Sequence, residues 1–179
     1  MPNEGKDINV TTKVLDDGQA EKFKISEKAS LLDVMQEGAS RGGVSLLPTA
    51  EAPLDTFHNI GKHNEVGPII EDLQQTLDEF LDGDHGHGHG GHGSDDEKKK
   101  PDFGIRLVRA IRVNTRWAVA TAAAMTPRDI LALPGINLDY QQYTLYLPSS
   151  SEPLPLDVPV PTERGAVFEA QKDGRYGGR

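Results

Sequence analysis

Hydrophobic and polar positions alternate early in the chain. Residues 8–15, Ile-Asn-Val-Thr-Thr-Lys-Val-Leu, follow the period of a half-buried strand. Asp16-Asp17-Gly18 is a turn signal, and Phe23-Lys24-Ile25 continues as a second strand, so a hairpin is predicted. Ser26 or Ser30 is suited to cap a helix. Leu31, Leu32, Val34, Met35 and Ala39 follow at helical spacing, and Gly42-Gly43 stops it.

Strand, turn, strand and helix in this order open the β-grasp fold, as they open many other α+β folds. The pattern is less clear after the helix. Residues 54–60 read as a short strand. Ile69, Leu73, Leu77 and Phe80 then sit four, four and three apart, with acidic residues and glutamines between them. That spacing predicts an amphipathic helix of about three turns. The competing reading of residues 70–80 is an irregular loop and turn before a final strand. No final strand is evident, so the first domain, 1–82, is read as a diverged β-grasp.

Residues 83–103 alternate glycine with histidine and then run into charge, so a disordered linker is expected. Four of the six histidines lie there: His85, His87, His89 and His92. Imidazoles on such a tract bind zinc or nickel, with modest affinity where no rigid frame holds them. A solvated spacer is the blander reading.

A second domain is expected over 104–173. Residues 107–114 read as a strand, and arginines 106, 109, 112 and 116 mark one face of a strand pair, a solvated edge or a docking surface for an acidic groove. Residues 117–121 return. Thr126 is a good N-cap with Pro127 at the first helical position, and Ile130, Leu131 and Leu133 form the buried face of a short helix ended by Pro134-Gly135. Residues 143–147 alternate as a strand, residues 154–160 form a proline-marked edge segment, and residues 167–170 make the last strand. Trp117, Leu131, Leu133, Leu145 and Phe168 are the expected core.

Composition bounds what this chain can do. The hydrophobic fraction is 36%, low enough that part of the chain lies outside any core. The formal net charge of −9 argues against nucleic acid as the main partner. Residues 1–102 carry 10 Lys+Arg against 21 Asp+Glu, a balance of −11, and residues 103–179 carry 9 against 7, a balance of +2. With no cysteine, disulfides and thiolate chemistry are excluded, which fits a cytoplasmic protein. Met1–Asp7 has no apolar core and is not expected to be a signal peptide. No apolar run approaches the roughly 20 residues of a membrane span. No phosphate-binding glycine loop and no supported Ser-His-Asp order appears, so no enzyme is expected. Ser149–Ser151 reads as a turn, and His58 and His63 as surface histidines on a loop.

Residues 174–179, Gly-Arg-Tyr-Gly-Gly-Arg, form a flexible tail. Two successive glycines make a thread without Cβ atoms, able to enter a narrow cleft.

Several segments resemble the bacterial multiubiquitin domain, a ubiquitin-like modifier family from bacterial ubiquitination-like operons. They are Ile111-Arg112-Val113-Asn114, Met125 to Gly135 (Met-Thr-Pro-Arg-Asp-Ile-Leu-Ala-Leu-Pro-Gly), Tyr143-Thr144-Leu145-Tyr146 and Arg164-Gly165-Ala166-Val167-Phe168. Together they span about residues 105–171. The resemblance implies two ubiquitin-like domains in tandem and a protein modifier joined to targets through the carboxylate of Gly178, with Gly177 beside it. A peptidase would first remove Arg179, and Arg175 and Tyr176 would be gripped by the processing and activating enzymes. The implied partners are a ubiquitin-activating-enzyme homologue, which uses ATP and magnesium, a conjugating-enzyme homologue, the peptidase and the target proteins. Such systems are implicated in defence against phage. The first domain departs from the pattern, because Asp82-Gly83-Asp84 replaces a di-glycine exit. The alternative is a non-conjugated tandem interaction module whose histidine tract binds metal.

Overall fold

The computed structural model describes residues 5–16, 18–48, 53–83 and 100–174. It is an α+β structure of two compact units. One comprises Met1–Leu46 and Asp55–Leu107, the other Leu47–Leu54 and Val108–Arg179.

The first unit opens with the hairpin the alternation predicts. Strands β1 (Asp7–Val14) and β2 (Ala20–Ser26) pair antiparallel from Asp7 opposite Ser26 to Lys13 opposite Ala20. Helix α1 (Leu31–Arg41) follows. Of the two candidate caps, Ser30 is used. Its hydroxyl accepts from the Asp33 N–H, and the Asp33 carboxylate accepts from the Ser30 N–H. This reciprocal box satisfies two backbone donors that have no partner inside the helix. The α1 face that carries Leu31, Val34, Met35 and Ala39 packs on the sheet and is buried. Gly38 lies on the same face against Thr12 of β1, where a Cβ would stand 2.7 Å from the Thr12 Cβ.

Strands β3 (Thr56–Ile60) and β4 (Val66–Ile69) form a second hairpin around a 3-10 turn at Lys62–Asn64. The amphipathic helix expected from Ile69 is corrected here: the helix α2 spans only Leu77–Gly83. The reason lies in α1. The N–H groups of Leu31 and Leu32 reach the carbonyls of Gln75 and Leu73, at 3.0 and 2.9 Å. Those carbonyls are held outside a helix to supply acceptors that the first turn of α1 lacks. Ile70, Leu73 and Phe80 still pack against the core, so their spacing reports burial without continuous helix.

The strand missing from the sequence reading is β5 (Asp102–Arg106). It pairs parallel with β1, Thr11 opposite Asp102 to Val14 opposite Ile105, and antiparallel with β3. The sheet order is therefore β2-β1-β5-β3-β4. Phe103 and Ile105 are fully buried, and the Phe103 ring stacks on Phe57 at 4.8 Å between centroids. This corrects the expected boundary at residue 103. The histidine-rich tract is an insertion between α2 and the central strand of the first unit, and Leu107 is that unit's last residue.

The second unit follows a parallel plan. Strand β6 (Ala110–Val113) turns through Asn114, at φ 54°, into β7 (Arg116–Val119). A two-residue strand β8 (Ala124–Met125) leads into α3 (Pro127–Ala132). Thr126 caps α3 and accepts from the Asp129 N–H, with Pro127 at the start as expected. The helix ends at Ala132, with Leu133 as its C-cap, and Pro134-Gly135 follow in a turn. Gly135 has φ 92°, and a Cβ there would lie 2.7 Å from the Trp117 carbonyl oxygen, so glycine is required twice over. Strands β9 (Tyr143–Tyr146), β10 (Val160–Pro161) and β11 (Val167–Lys172) complete the unit. The main sheet runs β7-β6-β11-β9, with β11 parallel to β6 and antiparallel to β9, and β10 pairs with β8. Ile111, Val113, Ile130, Leu131, Ile136, Leu145 and Phe168 form the core. Trp117, expected among them, is only half-buried.

Candidate functional site

The residues singled out for chemistry divide by position. Arg175, Tyr176, Gly177, Gly178 and Arg179 lie outside the described residues, and so do His85, His87, His89 and His92. What can be built up from the structure is the platform from which the tail leaves.

The last strand, β11, is interior to its sheet, with β6 on one side and β9 on the other. Its ladder to β9 runs from Glu169 opposite Tyr146 to Lys172 opposite Tyr143. Beyond the short parallel pairing with β6, Asn114 continues the other side. Its N–H reaches the Phe168 carbonyl at 3.0 Å, and its side-chain amide bonds both backbone groups of Ala170. Asparagine suits the position because it tolerates positive φ and carries a donor and an acceptor in one plane. Further on, the Asp173 N–H donates to the Gln142 carbonyl at 2.8 Å, and the Thr144 hydroxyl to the Asp173 carboxylate at 2.7 Å. The chain is thus held by hydrogen bonds to Asp173. Gly174 is exposed, and a Cβ there would meet nothing within 4 Å.

Most residues that carry the family resemblance have structural tasks in this unit. Arg128 pairs with Asp157 at 2.9 Å and lies over the Tyr140 ring at 4.3 Å, tying the proline-rich segment to α3. The hydrogen bond to Asp157 raises the Arg128 pKa above its ordinary value. Gly165 adopts φ 84° and donates its N–H to the Ala110 carbonyl at 2.7 Å, which sets β11 beside β6. Phe168 is then 1% exposed beneath the sheet.

The arginines divide between the two units. Arg106 ends the central strand of the first unit, whereas Arg109, Arg112 and Arg116 belong to the second. Arg112 lies over the Trp117 ring at 5.9 Å, and Arg116 donates to the Ile136 carbonyl. His58 is corrected from surface to interior. It is 4% exposed in β3, with Nδ1 at 2.9 Å from the Gly67 carbonyl and Nε2 at 2.8 Å from the Thr56 hydroxyl. It bridges β3 and β4 and is spent on structure. His63 is exposed at φ 67° in the turn. Ser150 caps its own turn, its hydroxyl accepting from the Glu152 N–H at 3.1 Å. Among the described residues, no three His, Cys, Asp or Glu side chains are grouped to hold a metal ion.

No protein-family model matches the chain. No curated protein matches it either.

Proposed function

We propose that the chain is a ubiquitin-like protein modifier with two β-grasp domains. Arg179 is removed by a peptidase, and the Gly178 carboxylate is then activated with ATP and joined to an acceptor amine on a target, in a bacterial cascade serving antiphage defence. The observation that carries the reading is the central placement of the last strand in each unit, parallel to the first strand of its own hairpin. A hairpin, a helix and such a final strand are the elements of a β-grasp, and the strand orders β2-β1-β5-β3-β4 and β7-β6-β11-β9 fit that topology.

The tail follows from this plan. In the second unit the last strand is fixed to Asp173 and the sequence then supplies Gly174, Gly177 and Gly178. A rigid base with a thin thread beyond it suits an enzyme that must draw a carboxylate into a cleft. In the first unit the same strand ends at Arg106, and the chain runs on through Leu107 into the second unit. Only the second unit therefore carries a conjugation end.

Intact-mass measurement after co-expression with the peptidase and activating enzyme of a multiubiquitin operon tests this. The expected result is loss of one arginine residue, followed by adenylation or thioester transfer that Gly178→Ala abolishes without unfolding the protein. Conjugation with Arg179 retained would overturn the scheme.

A further inference from the structure

The sheet of the first unit has one face under α1 and, among the described residues of that unit, no helix on the other. Val10, Thr12 and Val14 of β1 and Phe23 of β2 are buried on the helix side. Alternation puts Asn9, Thr11 and Lys13 of β1 and Lys22 and Lys24 of β2 on the opposite face. The register places Asn9 opposite Lys24, and Thr11 between Lys22 on one side and Asp102 on the other. One depression, of about 470 Å³, opens here and is lined by Asn9, Val10, Thr11, Lys22, Lys100 and Asp102. The other, of about 330 Å³, lies beside α2, with Leu81 in its wall, and sets Lys6, Lys24 and Lys100 against Asp7 and Glu27. Asn9 and Lys100 belong to both, so the two depressions adjoin.

The charge here runs against the unit that carries it. Asp33, Glu37, Glu71, Asp72, Asp78, Glu79 and Asp82 lie on or beside the helices. Lys22, Lys24 and Lys100 are exposed, and none of them is in an ion pair among the described residues. Unpaired ammonium groups gathered on a concave surface raise the local concentration of anions.

We propose that this face docks a carboxylate-rich peptide segment of a partner protein, with Lys22, Lys24 and Lys100 around Asn9 as the binding groups. The occupant is a peptide rather than a nucleic acid because Asp7, Glu27 and Asp102 also line the two depressions, where they would oppose phosphates, while a peptide can set a backbone N–H against them. Asn9 offers both a donor and an acceptor to such a backbone. This inference is independent of the conjugation reading, because it concerns the first unit and not the tail.

The test is an amide-resolved NMR titration of the full chain with a synthetic hexaglutamate peptide, with a thymidine oligonucleotide of equal charge in parallel. Shifts are expected at Asn9, Lys22, Lys24 and Lys100, weakening as salt is raised. Lys22→Glu/Lys24→Glu should lower the affinity at least tenfold. Lys62→Glu, at the exposed β3–β4 turn, should lower it less than twofold. If the double variant loses its dispersed spectrum, Lys100→Glu, which lies before β5, carries the same expectation. Equal weakening by Lys62→Glu, tighter binding of the oligonucleotide, or shifts that avoid these residues would each overturn the proposal.

Discussion

Asn114 grips Ala170 with both atoms of its side-chain amide. Nδ2 donates to the Ala170 carbonyl at 3.0 Å, and Oδ1 accepts from the Ala170 N–H at 2.9 Å. The two residues are 56 apart in sequence, yet one side chain does there what a neighbouring strand would do. Asn114→Gly keeps the left-handed backbone and removes the clamp. It should destabilise the second unit by about 1–3 kcal/mol, the cost of leaving partly buried backbone groups unpaired. Hydrogen exchange at Ala170 should accelerate far more than at Ile111. Unchanged protection of Ala170 would mean that water replaces the clamp at no cost.

Gly38 sits mid-helix, where alanine would ordinarily be favoured by about 1 kcal/mol. Here the sign should reverse. A Cβ would press on Thr12, 2.7 Å from its Cβ and Cγ2, and a strand backbone stands behind it. Gly38→Ala should cost about 1–3 kcal/mol, the range for overpacked cores, in urea unfolding. Thr12→Ala should recover only part of it, because the Cβ that stands 2.7 Å away is retained. A stabilised single variant would show that α1 can move off β1 freely.

Asp78 gives a pH signature. The hydrogen bond from Lys28, and then that from the Thr76 hydroxyl, pull its carboxyl down to about 2. A depressed carboxyl contributes stability that is present above the unfolded value near 4 and lost as pH falls through the folded value. Stability of the first unit should therefore drop between about pH 4 and pH 2, and Asp78→Asn should flatten that part of the curve. NMR titration of the Asp78 side chain checks the midpoint directly. A midpoint near 4 would show that the Lys28 contact is not kept in solution.

Local chemistry made much of this fold legible. The β1–β2 hairpin, the end of α1 at Gly42, the Thr126 cap and the Pro134-Gly135 stop are each decided by a few adjacent residues. Three elements were not legible, each because a distant partner decides it. Residues 70–76 have helical spacing, but the carbonyls of Leu73 and Gln75 are taken by the N–H groups of Leu32 and Leu31. His58 looked like a loop histidine because nothing nearby in sequence announces Gly67 as its acceptor. Strand β5 looked like the start of the next domain, since a low-complexity tract separates it from the unit it completes. The tail residues proposed for conjugation lie beyond the described residues, and the structure adds only the hydrogen-bonded end of the last strand at Asp173.

Strand β5 makes the strongest distinction between the two ways of dividing the chain. If residues 1–82 were a domain, a fragment ending there would fold. In the structure that fragment lacks the strand between β1 and β3, and with it Phe103 and Ile105, both fully buried. It would also expose Phe57, whose ring stacks on Phe103. Removing two such side chains from a core costs several kcal/mol, a large part of the stability of a small domain. The fragment 1–83 should therefore show no cooperative thermal transition. Replacing residues 84–99 in the full chain by a short Gly-Ser linker should do the opposite. Leu81 and Lys100 line one depression, so the two ends of the insertion are close and a short connection can join them. Loop closure changes by only about 0.6 kcal/mol for each halving of length, so the first unit should melt within a few degrees of the full chain. Circular dichroism on both proteins is sufficient. A cooperatively folded 1–83 fragment would remove β5 from the first unit, and collapse on shortening the insertion would make the histidine tract part of its fold.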